Sequence, residues 1–113
     1  MKDRGLVFTP ANATAASSPE PGMRRQVLAY NQNVMLVRHQ LSKGWKGTSH
    51  RHPHEQLVYV VSGCIVFEAD GKTAELRGGD SVVVEGDVEH RAIALEDSEV
   101  LDVFVPYRSE YAR

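Results

Sequence analysis

Residues 44–63 read G-W-K-G-T-S-H-R-H-P-H-E-Q-L-V-Y-V-V-S-G, and they hold three of the chain's five histidines. His50, His52, His54 and Gln56 fall at every second position. In an extended strand, side chains two apart project to one face. Imidazoles and a carboxamide can therefore converge on one point, a donor set that divalent transition metals favour. His50 and His52 are the expected ligand pair. Gln56, four residues further in the same phase, adds a neutral carbonyl oxygen. Pro53 bends the chain just before His54, which is expected beside the ligands or at the mouth of the site, with a place among the ligands themselves as the alternative. Glu55 has the opposite parity, and a register shift at the bend would exchange it with Gln56.

Outward from this stretch the pattern is β throughout. Candidate strands cover residues 25–30, 34–41, 56–61, 64–69, 73–76, 81–84, 90–95 and 100–105. Turn signals separate them, among them Asn31-Gln32-Asn33, Asp70-Gly71, Gly78-Gly79-Asp80 and Glu85-Gly86-Asp87. No useful length shows the 3.6-residue period of a helix. Many short strands at this spacing predict an all-β sandwich or barrel. Residues 6–8 are a candidate edge strand. Residues 9–22, rich in Ala, Ser, Thr and Pro, are expected to form an arm or loop. The expected organisation is an N-terminal arm or edge segment over 1–22 and a single barrel domain over 23–113.

The composition narrows the function. With 113 residues and a formal net charge of -2, the chain lacks the basic footprint of a nucleic-acid binder. Cys64 is the one cysteine, so no internal disulfide forms, which fits a reducing compartment. The first residues carry an apolar run of only three, short of the roughly 7–15 of a secretion signal. No membrane association is expected, and the cytoplasm is the expected compartment. The 57–61 and 100–105 strands are apolar on both faces, whereas a strand with one wet face should alternate. A second subunit covers such a face most simply, so a symmetric homodimer is expected.

A fourth ligand must come from another strand. His90 opens one, with Ala92 and Ala94 in phase beside it, small residues that leave room for a cavity. One ion per subunit, held by His50, His52, Gln56 and His90, is the expected cofactor. Zn, Ni, Fe(II), Mn and Cu fit this donor set, and Mg and Ca do not. On the last strand Val100, Asp102 and Phe104 share a face, taken as the interior. A carboxylate among apolar neighbours is costly unless paired or used. Asp102 is either a proton-transfer group or a hydrogen-bonded structural Asp, a buried Arg being one possible partner. Arg108, just past the strand end, is either a bidentate carboxylate clamp or a solvated terminal Arg. Phe104 is core or ligand contact, and Trp45 covers the mouth, stacks on a ligand or packs in a dimer.

These residues resemble the cupin superfamily. Its first motif, G-x5-H-x-H-x3-E-x6-G, is matched by Gly44, His50, His52, Gln56 and Gly63, with Gln in place of the usual Glu. The second, G-x5-P-x-G-x2-H-x3-N, is matched in spacing by Gly79, Glu85, Asp87, His90 and Ala94, with only Gly and His retained. The resemblance covers about residues 24–106 and implies the cupin double-stranded β-helix (jelly-roll) barrel. A tighter resemblance links H-R-H-P-H-E-Q-L-V-Y-V-V-S-G and A-L-E-D-S-E-V-L-D-V-F-V-P-Y-R-S-E-Y to the small pectin-degradation (KdgF-type) cupins. It implies a metal-dependent isomerase that ketonises 4,5-unsaturated uronates from pectin and alginate breakdown. It also implies the same His, His, Gln, His set, with Asp102, Phe104 and Arg108 lining the site. Tyr107 and Ser109 flank the Arg where the group has Pro and an acidic residue. An Fe(II)-type dioxygenase, a lyase on another small carboxylate and a non-catalytic sugar-binding cupin are the alternatives the superfamily offers.

Overall fold

The computed structural model describes residues 5–112. Among the described residues nine strands follow one another: β1 (Ala16–Glu20), β2 (Met23–Tyr30), β3 (Met35–Leu41), β4 (Glu55–Ser62), β5 (Cys64–Ala69), β6 (Lys72–Arg77), β7 (Ser81–Val84), β8 (His90–Ala94) and β9 (Ser98–Val105). They form a six-stranded sheet, β1-β2-β3-β9-β4-β7, and a three-stranded sheet, β6-β5-β8. Every pairing is antiparallel. Among the described residues the only helical pieces are single 3-10 turns, Ala11–Ala13 and Ser109–Tyr111. No helix of the described chain is long and apolar enough to cross a membrane.

β4 alternates as far as Val61: Gln56, Val58 and Val60 face in, and Leu57, Tyr59 and Val61 face out. The interior draws on both sheets, with Leu41, Val58, Val60 and Val100 meeting Ile65, Phe67, Leu76 and Ala94. A second cluster of Val27, Met35, Val37 and Phe104 closes the end nearer the C-terminal turn. The Asp70-Gly71 turn has both residues at positive φ, 50° and 73°, as a two-residue hairpin between right-twisted strands requires.

Two expectations fail at the N-terminus. Residues 6–8 form no strand, and Leu6 and Phe8 stand almost fully exposed. The Ala-Ser-Ser-Pro-Glu segment expected as loop is instead β1, paired with β2 from Ala16↔Gln26 to Glu20↔Met23. It is an edge strand exposed along its whole length, so nothing in it needs an alternating apolar pattern. Pro19 is tolerated there because an edge strand leaves one row of N–H groups unused.

Residues 44–50 complete the small sheet without counting as a strand. Gly47 N–H donates to Ala92 O at 2.9 Å, and His50 and His90 exchange both main-chain bonds at 2.9 and 2.8 Å. Gln56 and Glu55 keep the parity read from the sequence. Glu55 points outward and accepts the Gly86 N–H at 2.6 Å, which pins the turn leading to β8.

Candidate metal centre

Three rings from two chain segments meet at one end of the barrel. One ring nitrogen each of His50, His52 and His90 lies within 4.8 Å of the others. His52 and His90 are buried and His50 opens to solvent. The local backbone orients each ring. The Nδ1 atoms of His50, His52 and His90 face the carbonyls of Thr48, His54 and Val88 at 2.9, 3.2 and 2.8 Å. A carbonyl only accepts, so each Nδ1 carries the proton and each Nε2 presents a lone pair.

Gln56 joins them from β4. Its NH2 donates to Asp102 Oδ1 at 2.8 Å, so its Oε1 is the end turned toward His52 Nε2, 3.2 Å away. That contact sets one lone pair against another, with no hydrogen between them. Nearby, His90 Nε2 is buried with no hydrogen-bond partner among the described residues. Converging lone pairs of this kind, one of them orphaned in a buried site, are what a cation would satisfy. The donor set, imidazole and neutral oxygen, fits a divalent transition metal.

Electrostatics agree. Burial holds the His52 imidazole below its ordinary pKa, and Arg108 and the neighbouring rings push the same way. Burial does the same to His90, against the opposing bond from its ring to Val88 O. Both rings are therefore neutral at pH 7, the form that binds metal.

The four expected ligand residues are thus brought together. His54 stands outside the group. Its carbonyl orients His52, and its ring meets the rings of His52 and Phe104 nearly edge-on, at 5.4 and 6.3 Å. A cavity of about 310 Å3 opens above the rings, lined also by Asp102, Phe104, Arg108 and Trp45. Phe104 is almost fully buried and packs near His52. Arg108 reaches over the Phe104 ring and forms a two-nitrogen contact with Glu110 Oε2 at 3.0 and 2.8 Å. Trp45 is half-buried against the core, its indole Nε1 buried without a partner among the described residues.

Three residues of the site were not singled out in the sequence. His39 and Arg25 are directly opposed on β3 and β2, and both line the cavity. Tyr111, in the C-terminal turn, lies under both guanidinium groups, with Arg25 at 3.9 Å and Arg108 at 4.3 Å from its ring. The signal for His39 was present: Met35, Val37, His39 and Leu41 share the inward phase of β3. Where the second cupin motif has Gly, Asp87 takes the left-handed φ of 64°, which Asp enters more readily than most residues. Its N–H bonds His52 O at 2.8 Å, so the turn still braces the first motif.

Known proteins resemble the chain at each level. The family described as the cupin domain matches residues 37–105. The pectin degradation protein KdgF of Dickeya dadantii is 30% identical over 92 residues, which cover 80% of this chain and 84% of that protein. The structure of KdgF from Halomonas sp. superposes with a TM-score of 0.88 at 34% identity, over 96% of this chain and 100% of that one. An RmlC-like cupin from Shewanella frigidimarina superposes equally well, with a TM-score of 0.88 at 31% identity, over 96% and 97% of the two chains.

Proposed function

The chain belongs to the cupin-domain family, and from that premise we propose that it is a metal-dependent isomerase that ketonises 4,5-unsaturated uronates released from pectin or alginate. The observation that carries this reading is the convergence of three Nε2 lone pairs and the Gln56 carbonyl under a cavity that also holds a buried carboxylate and a guanidinium. The likeness to two KdgF proteins, one of them named for pectin degradation, supports the choice of substrate class.

Ketonisation of such a sugar moves one proton. The anomeric hydroxyl loses it, the ring C–O bond opens to leave an aldehyde, and C4 of the resulting enolate gains it, leaving a ketone at C5. Atoms and electrons balance without an added reactant. A divalent ion held by His50, His52, Gln56 and His90 would supply a Lewis acid toward a substrate oxygen, and the neutral Gln leaves more of its charge available than Glu would. Asp102, buried beside the ligands, is the group that receives and returns the proton. Arg108 binds the uronate carboxylate by exchanging it for Glu110, whose side chain is half exposed and readily gives way. Phe104 and Trp45 form the apolar wall that keeps water from the enolate.

We also place the protein in the cytoplasm as a homodimer. The outer face of β4, β7 and β9 carries Leu57, Tyr59, Val83 and Val105, each 45–55% exposed. Leu57 is flanked there by Val83 and Val103. Such a patch on a sheet face suits a second copy of the chain.

The test is loss of ultraviolet absorbance of the conjugated double bond. Protein loaded with a divalent metal should accelerate it, chelator should abolish the acceleration, and Asp102→Asn should cost at least about a hundredfold in kcat. No acceleration across pectate- and alginate-derived unsaturated uronates would remove the reading.

A further inference from the structure

Asp102 is held from both sides. Gln56 Nε2 donates to its Oδ1 at 2.8 Å, and His39 Nδ1 lies 2.7 Å from its Oδ2. His39 is buried, and it sits diagonally across the β3–β9 ladder from Asp102, whose direct partner is Val37. Behind His39, the Arg25 Nε–H points at His39 Nε2 at 3.0 Å. A guanidinium only donates, so His39 Nε2 must carry the lone pair and His39 Nδ1 the proton. The run is therefore directional: Arg25 donates to His39, His39 donates to Asp102, and Asp102 accepts the Gln56 amide.

The direction has a consequence at the metal centre. A carboxamide can turn either end toward an ion, and only the oxygen end is a ligand. The acceptor that selects the oxygen end of Gln56 is Asp102, and the donor that fixes the Asp102 carboxylate is His39. We propose that His39 is a positioning residue of the metal site, which holds Asp102 so that Gln56 presents its oxygen rather than its NH2 group. Arg25 sets the tautomer that lets it do so. The inference rests on the metal-site reading above.

The test separates the two faces of the ring by substitution. Asn at position 39 places an N–H where Nδ1 stands, keeping the bond to Asp102 and losing the reach to Arg25. Gln places its terminal group where Nε2 stands, keeping the contact with Arg25 and losing the bond to Asp102. Both are polar and close in volume, so a merely structural role for His39 would treat them alike. Affinities of the apo-proteins for Zn(II) and Co(II) are measured by competition with a chromogenic chelator. The Co(II) absorption spectrum reports the ligand set independently of any activity. Orienting partners of metal ligands are worth about 10–100-fold in affinity. His39→Gln and His39→Leu should therefore bind at least about tenfold more weakly, with an altered Co(II) spectrum, and His39→Asn should stay within about threefold of the parent. Thermal unfolding of the apo-proteins confirms that the compared variants are folded; if His39→Leu is not, the Asn and Gln pair still decides. Equal affinity and spectrum for the parent and His39→Gln would overturn the proposal, as would His39→Asn binding as weakly as His39→Gln. In either case the metal site itself stands. A parent protein that binds neither ion would overturn the metal reading, and this inference with it.

Discussion

Gln56→Glu restores the residue usual at this position in the first cupin motif, and the structure makes it costly here. In the native protein the Gln56 amide donates to Asp102 Oδ1 at 2.8 Å. A glutamate of the same shape sets a carboxylate oxygen where that NH2 group is. Two full charges at about 3 Å repel by roughly 6 kcal/mol at the effective dielectric of 20 that suits protein sites. The cheaper escape is to bind a proton between the two oxygens, which at pH 7 costs about 3.7 kcal/mol for a group with an ordinary pKa near 4.3. The smaller cost sets the outcome, so the metal-free variant should be less stable by about 3–4 kcal/mol at pH 7. The sign with pH follows. A carboxyl whose folded-state pKa is raised takes its penalty above its unfolded pKa and sheds it on acidification, so the deficit should shrink to about 1 kcal/mol at pH 5. Urea unfolding of parent and variant at both pH values, with chelator present, gives the difference directly. A variant as stable as the parent at pH 7, or a deficit that does not shrink at pH 5, would refute the reasoning from the Asp102 contact.

Further outcomes follow from other parts of the fold. Gly63 has φ +93°, and a Cβ there would lie 2.2 Å from Ser98 Oγ and 2.5 Å from Asp97 O, so Gly63→Ala should destabilise by about 3 kcal/mol or more, read by thermal or urea unfolding. Burial holds the His52 and His90 pKa values down, so below about pH 6.5 the unfolded chain binds more protons than the folded one. Metal-free protein should accordingly lose stability as pH falls from 7.5 to 5.5, by at most about 1.4 kcal/mol per pH unit for each ring, and His90→Gln should lessen the slope. Leu57→Lys puts a charge in the proposed dimer face and should weaken dimerisation by about thirtyfold, a cost of about 2 kcal/mol, measured by sedimentation; a parent that sediments as a monomer removes the dimer.

The convergence of His50, His52, Gln56 and His90 was legible in the sequence because its signal is periodic. His50, His52 and Gln56 share a parity that β4 and its approach preserve, and His90 stands at the head of β8 where the second motif spacing puts it. The same rule showed Asp102 and Phe104 facing inward, which they do. Their partners were hidden for a different reason. Parity says which face a side chain takes, and it does not say which strands are neighbours. His39 meets Asp102, and Arg25 meets His39, only because β3 pairs with β9 and β2 with β3, a sheet order not written in local pattern. Tyr111 reaches the cavity from a 3-10 turn with no period at all. β1 was missed because an exposed edge strand has no buried face to mark it.

The reciprocal main-chain bonds between His50 and His90, with the brace from Asp87 to His52 O, have a further meaning. They set the gap between the first motif and the second by amide-to-amide contact, whatever length of polypeptide lies between. The exposed Asp70-Gly71 hairpin tip lies outside these bonds. A peptide inserted there would lengthen the connection between the two motifs without cutting the contacts that set the spacing of the three rings.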